Sequence, residues 1–461
     1  ESIKKQIYNL IQASNHTGYG KASSKLIKYA ENNDIPFLFR KNSWIQYGWG
    51  NQSITMLRSA ITSDSAIGAR ASGNKLEAAE LLRDLGFPVP NHVIAPTRES
   101  ASQIAKSIKN WPVVVKPVDG NRGEGVTTGV ASETELLKAF DYATQNGSIS
   151  KHVLIEDTIP GTCHRIFIAN ENLIYCVKRK PIGITGNGID SIKEIITTIN
   201  ESAKTTNSYK VTGPQPRLDQ IAIETLKNAG LNQNSIPALN EFIALRPIET
   251  TTWGGIDEEY TDQIHEDNIK LAIQAAKNFH LLICGVDIIS NDISIPWHQN
   301  GAKINEINYS PTIGGGEASI RTIPKLFGTL LPNNGVIPIH IFVGAKSDKK
   351  ANQKFEDLIE SQQESIYLID SQTIKGPDKK LIHQERTSLY NNCMRCLVNQ
   401  NCAGIVIAIK DNDILWSGLP IKQCESIEIC DTKLYSSNKP DTFASDIEYQ
   451  IIMQEILSIG Q

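Results

Sequence analysis

The sequence lacks any long apolar run and any excess of one charge. No stretch of its 461 residues approaches the roughly 20 consecutive apolar residues that a membrane-spanning helix needs. Its 46 Lys and Arg stand against 50 Asp and Glu, which gives a formal net charge of −4. We therefore expect neither nucleic acid nor a membrane surface as a partner, because both attract a basic excess.

A disulfide framework and a signal peptide are also missing. The eight cysteines show no regular spacing, which is typical of a protein kept in a reducing compartment. The first residues, Glu1–Gln6, contain no apolar signal-peptide core, and they lack an initiator Met, so the natural start is expected upstream. These features predict a cytoplasmic protein.

What is present is an ordinary globular composition, with 40% hydrophobic and 21% charged residues. A chain of this length is expected to form two to four domains. Internal repeats, low-complexity tracts and a Ser/His/Asp or Cys/His catalytic constellation are absent. The pattern predicts α/β structure throughout, with a change of character near the Lys-rich segment Lys346–Lys354.

Two predicted strands carry the most informative side chains. Leu281–Ile289 is an apolar run, and Ala302–Tyr309 alternates after a turn signal. Glu306 and Asn308 lie two residues apart and so share a face, and Asp287 would stand beside them if the strands pair. Oxygen ligands gathered in this way suit Mg²⁺ that holds nucleotide phosphates; a solvated strand edge with unrelated polar residues is the alternative.

A second pattern is a lysine at the end of a buried strand, followed by a glycine-rich loop. Lys116 ends the strand, and Asp119–Gly125 could let backbone N–H groups approach phosphate oxygens, although the loop is not a Walker A sequence. A tight hairpin is the alternative for this loop. In the downstream strand, Glu156 could accept a hydrogen bond from the exocyclic amine of a purine.

The order of these motifs resembles that of an ATP-grasp carboxylate–amine ligase, and most of all the ATP-grasp half of cyanophycin synthetases and of bifunctional glutathione synthetases. The resemblance covers roughly residues 20–343. It is carried by these segments: Gln46–Gly50, Ala71–Lys75, Lys116–Gly125, Gly186–Gly188, Leu245–Arg246, Gly254–Gly255, Gly285–Asp287 and Asn305–Asn308.

The resemblance implies an α/β (α+β) chain with an ATP-grasp fold. Residues 1–70 would form a small N-terminal α/β unit, 71–343 the ATP-grasp domain with a lid lobe over about 112–185, and 344–461 a degenerate Mur-ligase-like domain. It also implies ATP as a ligand, with Mg²⁺ expected as two ions and Mn²⁺ as a substitute.

Site residues follow from the same resemblance. It implies that these residues bind ATP: Lys75, Lys116, Gly120, Gly123, Gly125, Glu156, Ile159 and Cys163. It implies that the metal ligands are Asp287, Glu306 and Asn308. Arg246 would stabilise the transferred phosphoryl group, and Arg165 would face the substrate or phosphate side.

The implied function is an ATP-dependent ligase that forms an amide or peptide bond through an acyl phosphate, with ADP and phosphate released. Its partners would be small carboxylate and amine substrates, such as amino acids or short peptides, and a homo-oligomer is expected from the relatives. The alternatives are a glutathione-synthetase-like dipeptide ligase and, from another class, a non-catalytic nucleotide-binding scaffold.

The sequence departs from the family pattern at several points. Cys163 stands where relatives have an acidic residue expected to hold the ribose hydroxyls. Ile248–Gly255 and Pro311–Glu317 replace segments that lie near the substrate in relatives. We therefore do not expect the substrates of cyanophycin synthesis, poly-aspartate and arginine.

The C-terminal segment resembles a Mur ligase that is truncated and inactive. Its strand Ile337–Val343 runs into Gly344–Lys350, which lacks the spacing of a phosphate-binding P-loop. Five of the eight cysteines lie here, and Cys393 and Cys396 have the spacing of half a zinc site. They also lie on a predicted helix, where such a pair is ordinary packing, and we prefer the packing interpretation.

Overall fold

The computed structural model describes residues 21–119, 124–147, 150–205, 215–247, 249, 255–362, 365–383 and 387–459. The helices in these ranges are α1 Lys21–Asn32, α2 Ala66–Ser72, α3 Lys75–Asp84, α4 Arg98–Ser107, α5 Glu133–Asn146, α6 Ile192–Thr205, α7 Gln220–Asn228, α8 Glu266–Asn278, α9 Trp297–Asn300, α10 Glu317–Arg321, α11 Ile323–Leu330, α12 Ser347–Gln362, α13 Leu389–Leu397, α14 Ile414–Ser417 and α15 Asp446–Leu457.

The strands up to residue 244 are β1 Phe37–Phe39, β2 Ile45–Tyr47, β3 Ile54–Leu57, β4 Ala60–Ile61, β5 His92–Ala95, β6 Val113–Pro117, β7 Thr127–Val130, β8 Val153–Asp157, β9 Thr162–Ala169, β10 Asn172–Lys180, β11 Gly183–Thr185 and β12 Phe242–Ala244. The later strands are β13 Ile256–Glu259, β14 Ile283–Ser290, β15 Lys303–Tyr309, β16 Ile339–Val343, β17 Ile366–Ile369, β18 Ile374–Lys375, β19 Leu381–His383, β20 Gly404–Ile409, β21 Ser426–Ile429, β22 Tyr435–Ser436 and β23 Lys439–Phe443.

The chain divides into two compact units. One comprises Glu1–Arg58 together with Phe327–Gln461, and the other is Ser59–Leu326. The first unit therefore combines the beginning and the end of the chain, whereas the sequence predicted separate segments at 1–70 and 344–461. Those segment boundaries remain predictions.

The unit Ser59–Leu326 is built on an antiparallel five-stranded sheet in the order β13-β10-β9-β14-β15. One face of the sheet is apolar: Ile166, Val286 and Ile288 are buried in one cluster with Ala272 and Phe279 from α8 and its end. Because successive strand residues point to opposite faces, the residues between them, such as Arg165 and Asp287, project from the other face. The alternation that builds the core also gathers polar side chains on one surface.

A second antiparallel sheet of this unit has the order β5-β8-β6-β7 and is covered by α4 and α5. Val113, Val115 and Leu136 belong to its buried core. The sheet begins at His92, earlier than the predicted lid lobe, and β9 and β10 lie in the five-stranded sheet instead. The difference arises because β5 pairs with β8, across some 60 residues of sequence, which no local pattern indicates.

The other unit contains a six-stranded sheet in the order β19-β18-β17-β20-β16-β21, in which β17, β20, β16 and β21 run parallel. Residues from the start of the chain pack here: the Gln46 side chain donates to the carbonyl of Leu397 (3.1 Å), and the Asn51 N–H donates to the carbonyl of Cys402 (2.8 Å). Trp49 is buried in a hydrophobic cluster with Ile339 and Ile405 of this sheet. The Mur-ligase relationship of this segment remains a prediction.

Cysteines of this unit serve packing. Cys393, Cys396, Cys402 and Cys424 belong to one buried hydrophobic cluster, and Cys393 and Cys396 lie on α13 as expected. Burial raises the pKa of the Cys396 thiol to about 12, which keeps it protonated. This environment supports the interpretation of the Cys393–Cys396 pair as core residues.

None of the helices in the described ranges combines the length and the apolar character that crossing a bilayer requires.

A buried histidine in the five-stranded sheet should make stability depend on pH. His164 is 1% exposed, its ring packs edge-on against Tyr260, and its Nδ1 atom lacks a hydrogen-bond partner among the described residues. Burial, with the nearby positive charge of Lys178, lowers the pKa of His164 from its ordinary value of 6.5 to about 4. The folded protein therefore excludes a proton that the unfolded chain accepts below pH 6.5.

We expect the free energy of unfolding to fall as pH drops from 6.5 to 4, with His164 contributing a loss of about 3 kcal/mol. Urea unfolding at pH 7 and pH 4.5 should show a smaller acid loss in His164→Gln than in the wild type. His298→Gln, at an exposed position, is the control. Equal acid losses in the wild type and His164→Gln would contradict the assignment.

Candidate active site

The predicted pairing of the two polar strands is present. In the β14–β15 register Asp287 lies opposite Glu306, and Gly285 lies opposite Asn308. An irregularity beside Asp287 shifts the register, so that Ile288 pairs with Ile304 and both remain in the core. The Asn308 Nδ2 atom donates to Asp287 Oδ2 at 3.3 Å. Two carboxylates and one amide thus share one face of the sheet.

Asp287 is a buried carboxylate between two arginines. Arg165 lies opposite it on β9 and donates from Nε and Nη2, the latter at 2.7 Å from Oδ2. The Arg179 Nη1 atom is 3.7 Å from the same oxygen. Burial alone would raise the pKa of Asp287, but Arg165 and Arg179 hold it below its ordinary value. Asp287 is therefore ionised.

Two lysines lie beside these strands. Asn74 caps α3 by accepting from the N–H groups of Leu76 and Glu77, which makes Lys75 the first residue of the helix. The Lys75 Nζ atom is 3.7 Å from Glu306 Oε1, and Lys116 Nζ is 3.5 Å from Asn305 Oδ1. Burial lowers the pKa of Lys75, Glu306 counteracts this, and the charge of Lys116 adds to the lowering.

Lys116 also forms a buried ion pair. Its Nζ atom lies 2.7 Å from Glu156 Oε2, and both side chains are more than nine-tenths buried. Lys116 pairs with Leu154 in the β6–β8 register, so that Glu156, two residues further on, projects from the same face. The residues expected to contact phosphate and purine thus contact each other.

The side chains at the sheet face fit Mg²⁺ with nucleotide phosphates better than a metal site made of protein groups alone. No group of three or more His, Cys, Asp or Glu side chains gathers as a metal site within the described ranges. Asp287 and Glu306 supply two carboxylates and Asn308 an amide oxygen, all hard oxygen donors. Mg²⁺ is typically held by one or two carboxylates plus phosphate oxygens, and two nearby lysines would neutralise the phosphates.

No protein-family model matches the chain. The cyanophycin synthetase of Synechocystis sp. is 27% identical over 310 residues, covering 67% of this chain and 35% of that protein. The glutathione biosynthesis bifunctional protein GshAB of Clostridium perfringens is 30% identical over 254 residues, covering 55% of this chain and 32% of that protein. The chain is thus related in sequence to the ATP-grasp ligases cyanophycin synthetase and GshAB. It spans about a third of the length of these relatives.

A solved structure is also similar. The bifunctional glutathione synthetase of Pasteurella multocida is 24% identical and covers 68% of this chain and 44% of its own, with a TM-score of 0.48.

Three further residues to which the resemblance assigns a role are Arg246, Ile159 and Gly125, and their contacts are as follows. Arg246 donates to Asp219 Oδ2 at 2.6 Å and to the carbonyl of Leu245 at 2.7 Å. Ile159 is half-buried in the turn between β8 and β9. Gly125 has φ +73° and packs against α5, where a Cβ atom would lie 3.2 Å from Ala143 Cα. The predicted phosphate-binding roles of these residues remain predictions.

Gly120 and Gly123, predicted to cover the phosphates, lie outside the described residues. Most of the segment Ile248–Gly255, which differs from the family pattern, also lies outside them.

Cys163 lies two residues before Arg165 on the same face of β9. Burial, and to a lesser degree the charge of Asp287, raises the pKa of its thiol, so that it is not a thiolate nucleophile. Its backbone N–H donates to the carboxylate of Glu249, whose pKa is raised by burial. An acidic group thus stands beside the cysteine that replaces an acidic residue. Whether this position contacts ribose remains a prediction.

Sequence reasoning missed three polar residues: Arg179 and Asp257 on the site face, and Glu249 beside Cys163. Arg179 could have been found, since the turn at Asn170–Glu171 predicts the hairpin register of β9 and β10. Asp257 could not, because β13 joins the sheet by a long-range pairing with β10.

Proposed function

We propose that this chain is an ATP-dependent ligase that joins a small carboxylate to an amine. The single observation that carries the proposal is the meeting of Asp287, Glu306 and Asn308 on one face, with Lys75 and Lys116 beside them. Carboxylates for a divalent cation next to cations for phosphates are what phosphoryl transfer needs, since its catalysis is mainly positioning and charge stabilisation.

In the proposed reaction the substrate carboxylate attacks the γ-phosphate of ATP, which gives an acyl phosphate and ADP. The amine then attacks the acyl carbon, phosphate leaves, and an amide bond remains. Lys75 and Lys116 would bind the phosphates. Asp287, Glu306 and Asn308 would hold Mg²⁺, which supplies Lewis-acid charge when it is bound. The charge of Arg165, already directed at Asp287, would face the transferred group.

The substrate class is proposed from the relatives, whose names refer to cyanophycin and to glutathione. Both products contain amide bonds between amino acids, which supports amino acids or short peptides as substrates here. The replaced segment Pro311–Glu317 supports a substrate different from that of cyanophycin synthetase.

The experiment is phosphate release from Mg-ATP, with amino acids and short peptides tested singly and in pairs. We expect release that requires one carboxylate and one amine together, with one amide product for each ADP. Mass spectrometry of the reaction identifies the product and so names both substrates.

Nucleotide binding, measured by calorimetry with ADP and Mg²⁺, is the control that separates the alternatives. Binding without turnover by any pair would favour the nucleotide-binding scaffold. Absence of nucleotide binding would overturn the proposal, because the lysines and carboxylates would then have no phosphate to hold.

A further inference from the structure

The site face extends beyond the metal and phosphate groups to a second carboxylate. Asp257 lies on β13 directly opposite Arg179 on β10. Arg165 lies opposite Val177, two residues before Arg179, so that Asp257, Arg179, Arg165 and Asp287 all project from one face. The charges of these residues act on the Asp257 carboxyl group: Arg179 and Arg165 lower its pKa, and Asp287 raises it.

One carboxylate oxygen of Asp257 lacks a hydrogen-bond partner in the described part of the chain. Its Oδ1 atom is buried and has no hydrogen-bond partner among the described residues. Gly316 is one neighbour of the other oxygen: a Cβ atom added there would lie 3.3 Å from Oδ2, and glycine itself offers no side-chain donor. Burial raises the pKa of Asp257, and the two arginines offset this only in part.

Arg179, the residue opposite Asp257, does not supply the missing hydrogen bond to Oδ1. The ion pair of Arg179 is with Asp287 Oδ2, at 3.7 Å, and the Arg179 Nε atom is itself buried without a hydrogen-bond partner among the described residues. Buried polar atoms are almost always hydrogen-bonded, and a buried carboxylate oxygen without a donor is costly. Such an arrangement next to a reaction centre is expected where a ligand completes the hydrogen bonding.

We propose that Asp257 binds a positively charged group of a substrate, an ammonium or a guanidinium. The group would donate to the buried Oδ1 atom and would place a positive charge beside the half-buried carboxylate. The inference rests on the proposed ligase function and deepens it, since it makes one substrate an amino acid or amine bound through its positive charge. Asp257 is then a specificity residue rather than a catalytic one.

The test is binding to the full chain loaded with Mg-ADP, measured by calorimetry. The ligands are amino acids paired with their 2-hydroxy acids, arginine paired with citrulline, and lysine paired with 6-hydroxynorleucine. In each pair only the positive charge differs. We expect at least one charged ligand to bind 10-fold or more tightly than its uncharged partner, and Asp257→Asn to remove that preference.

The matched control is Glu258→Gln. Glu258 is the next residue of β13, projects from the opposite face and pairs with Lys180 at 2.6 Å. It should keep the preference, and ADP affinity should change less than 3-fold in both variants, which a mere folding defect in Asp257→Asn would not allow.

Equal binding of charged and uncharged partners by the wild type, or an unchanged preference in Asp257→Asn, would overturn the inference; so would a complete lack of binding. The phosphate-release assay distinguishes a wrong role for Asp257 from a wrong ligase proposal. Turnover of a substrate without a positive charge would retain the ligase and reject the role of Asp257.

Discussion

Replacing Asp287 with Asn should reduce turnover by about 1,000-fold or more. The substitution keeps the size of the side chain but removes the negative charge that would hold Mg²⁺ at the phosphates. It also leaves Arg165 and Arg179 without their shared partner. Loss of one preorganised electrostatic group typically costs a factor of 100 to 1,000 in rate, and here a proposed metal ligand and two oriented arginines are affected together.

Stability must be measured beside turnover, since Asp287 has a structural role as well. Its side chain is 3% exposed and accepts both hydrogen bonds from Arg165. Removing one member of a buried ion pair costs about 3 to 5 kcal/mol, because the other charge stays buried without compensation. Asp287→Asn is therefore expected to lower the urea midpoint.

Glu306→Gln separates the two effects. Glu306 is 30% exposed, and its ion pair with Lys75 is long, at 3.7 Å. We expect a comparable loss of turnover with less than about 1 kcal/mol lost from the free energy of unfolding, as for a partly exposed pair.

The measurements are phosphate release, urea unfolding and Mn²⁺ binding by electron paramagnetic resonance in the presence of ADP. Both variants should bind Mn²⁺ more weakly than the wild type, and Asp262→Asn, at an exposed position, should match the wild type. If Glu306→Gln kept full Mn²⁺ affinity and turnover, the assignment of these residues to a metal would be wrong.

Sequence patterns predicted the part of the site that depends on local periodicity. The alternation in Ala302–Tyr309 placed Glu306 and Asn308 on one face, and the pairing with Asp287 is present in the register. Adjacent strands joined by a short connection usually pair, so that this juxtaposition needed no long-range information. The same holds for the β9–β10 hairpin.

Long-range pairings were not predictable in this way. The strand His92–Ala95 pairs with β8, and β13 pairs with β10 to bring Asp257 opposite Arg179. Each pairing depends on how distant segments share a core, which a single sequence does not encode as a period. The grouping of Glu1–Arg58 with Phe327–Gln461 in one unit is a further example.

The sequence also did not predict which charged side chains form ion pairs with each other. The resemblance assigned Lys116 to phosphate and Glu156 to the purine, and the structure joins the two side chains at 2.7 Å. Sequence identifies which residues carry charge, but the partner of each charge depends on the register of β6 against β8. Lys116 thus has two candidate roles, binding phosphate and neutralising the buried Glu156 carboxylate.

Variants of Lys116 and Glu156 should separate the proposed nucleotide-binding role of the lysine from its structural role. Lys116→Met should lower the free energy of unfolding by about 3 to 5 kcal/mol, since the Glu156 carboxylate would remain buried without its partner. It should also weaken ADP binding roughly 100-fold, the value of about two charge-assisted hydrogen bonds to phosphate.

The double variant Lys116→Met with Glu156→Gln is the decisive protein. With both charges removed, no buried charge is left uncompensated, so most of the lost stability should return. ADP affinity should stay low, because the phosphate still lacks the positive charge of Lys116. Stability and ADP affinity should therefore both fall in Lys116→Met. In the double variant only stability should recover.

Lys138→Met is the control for the loss of a lysine, as Lys138 lies exposed on α5 in the same part of the unit. Urea unfolding and calorimetry with Mg-ADP give both quantities for all four proteins. If ADP affinity returned together with stability in the double variant, Lys116 would act only by neutralising Glu156. The phosphates would then depend on Lys75 and the backbone. If it stays low while stability returns, the ion pair with Glu156 is how the fold keeps a phosphate-binding lysine buried and ready when no nucleotide is bound.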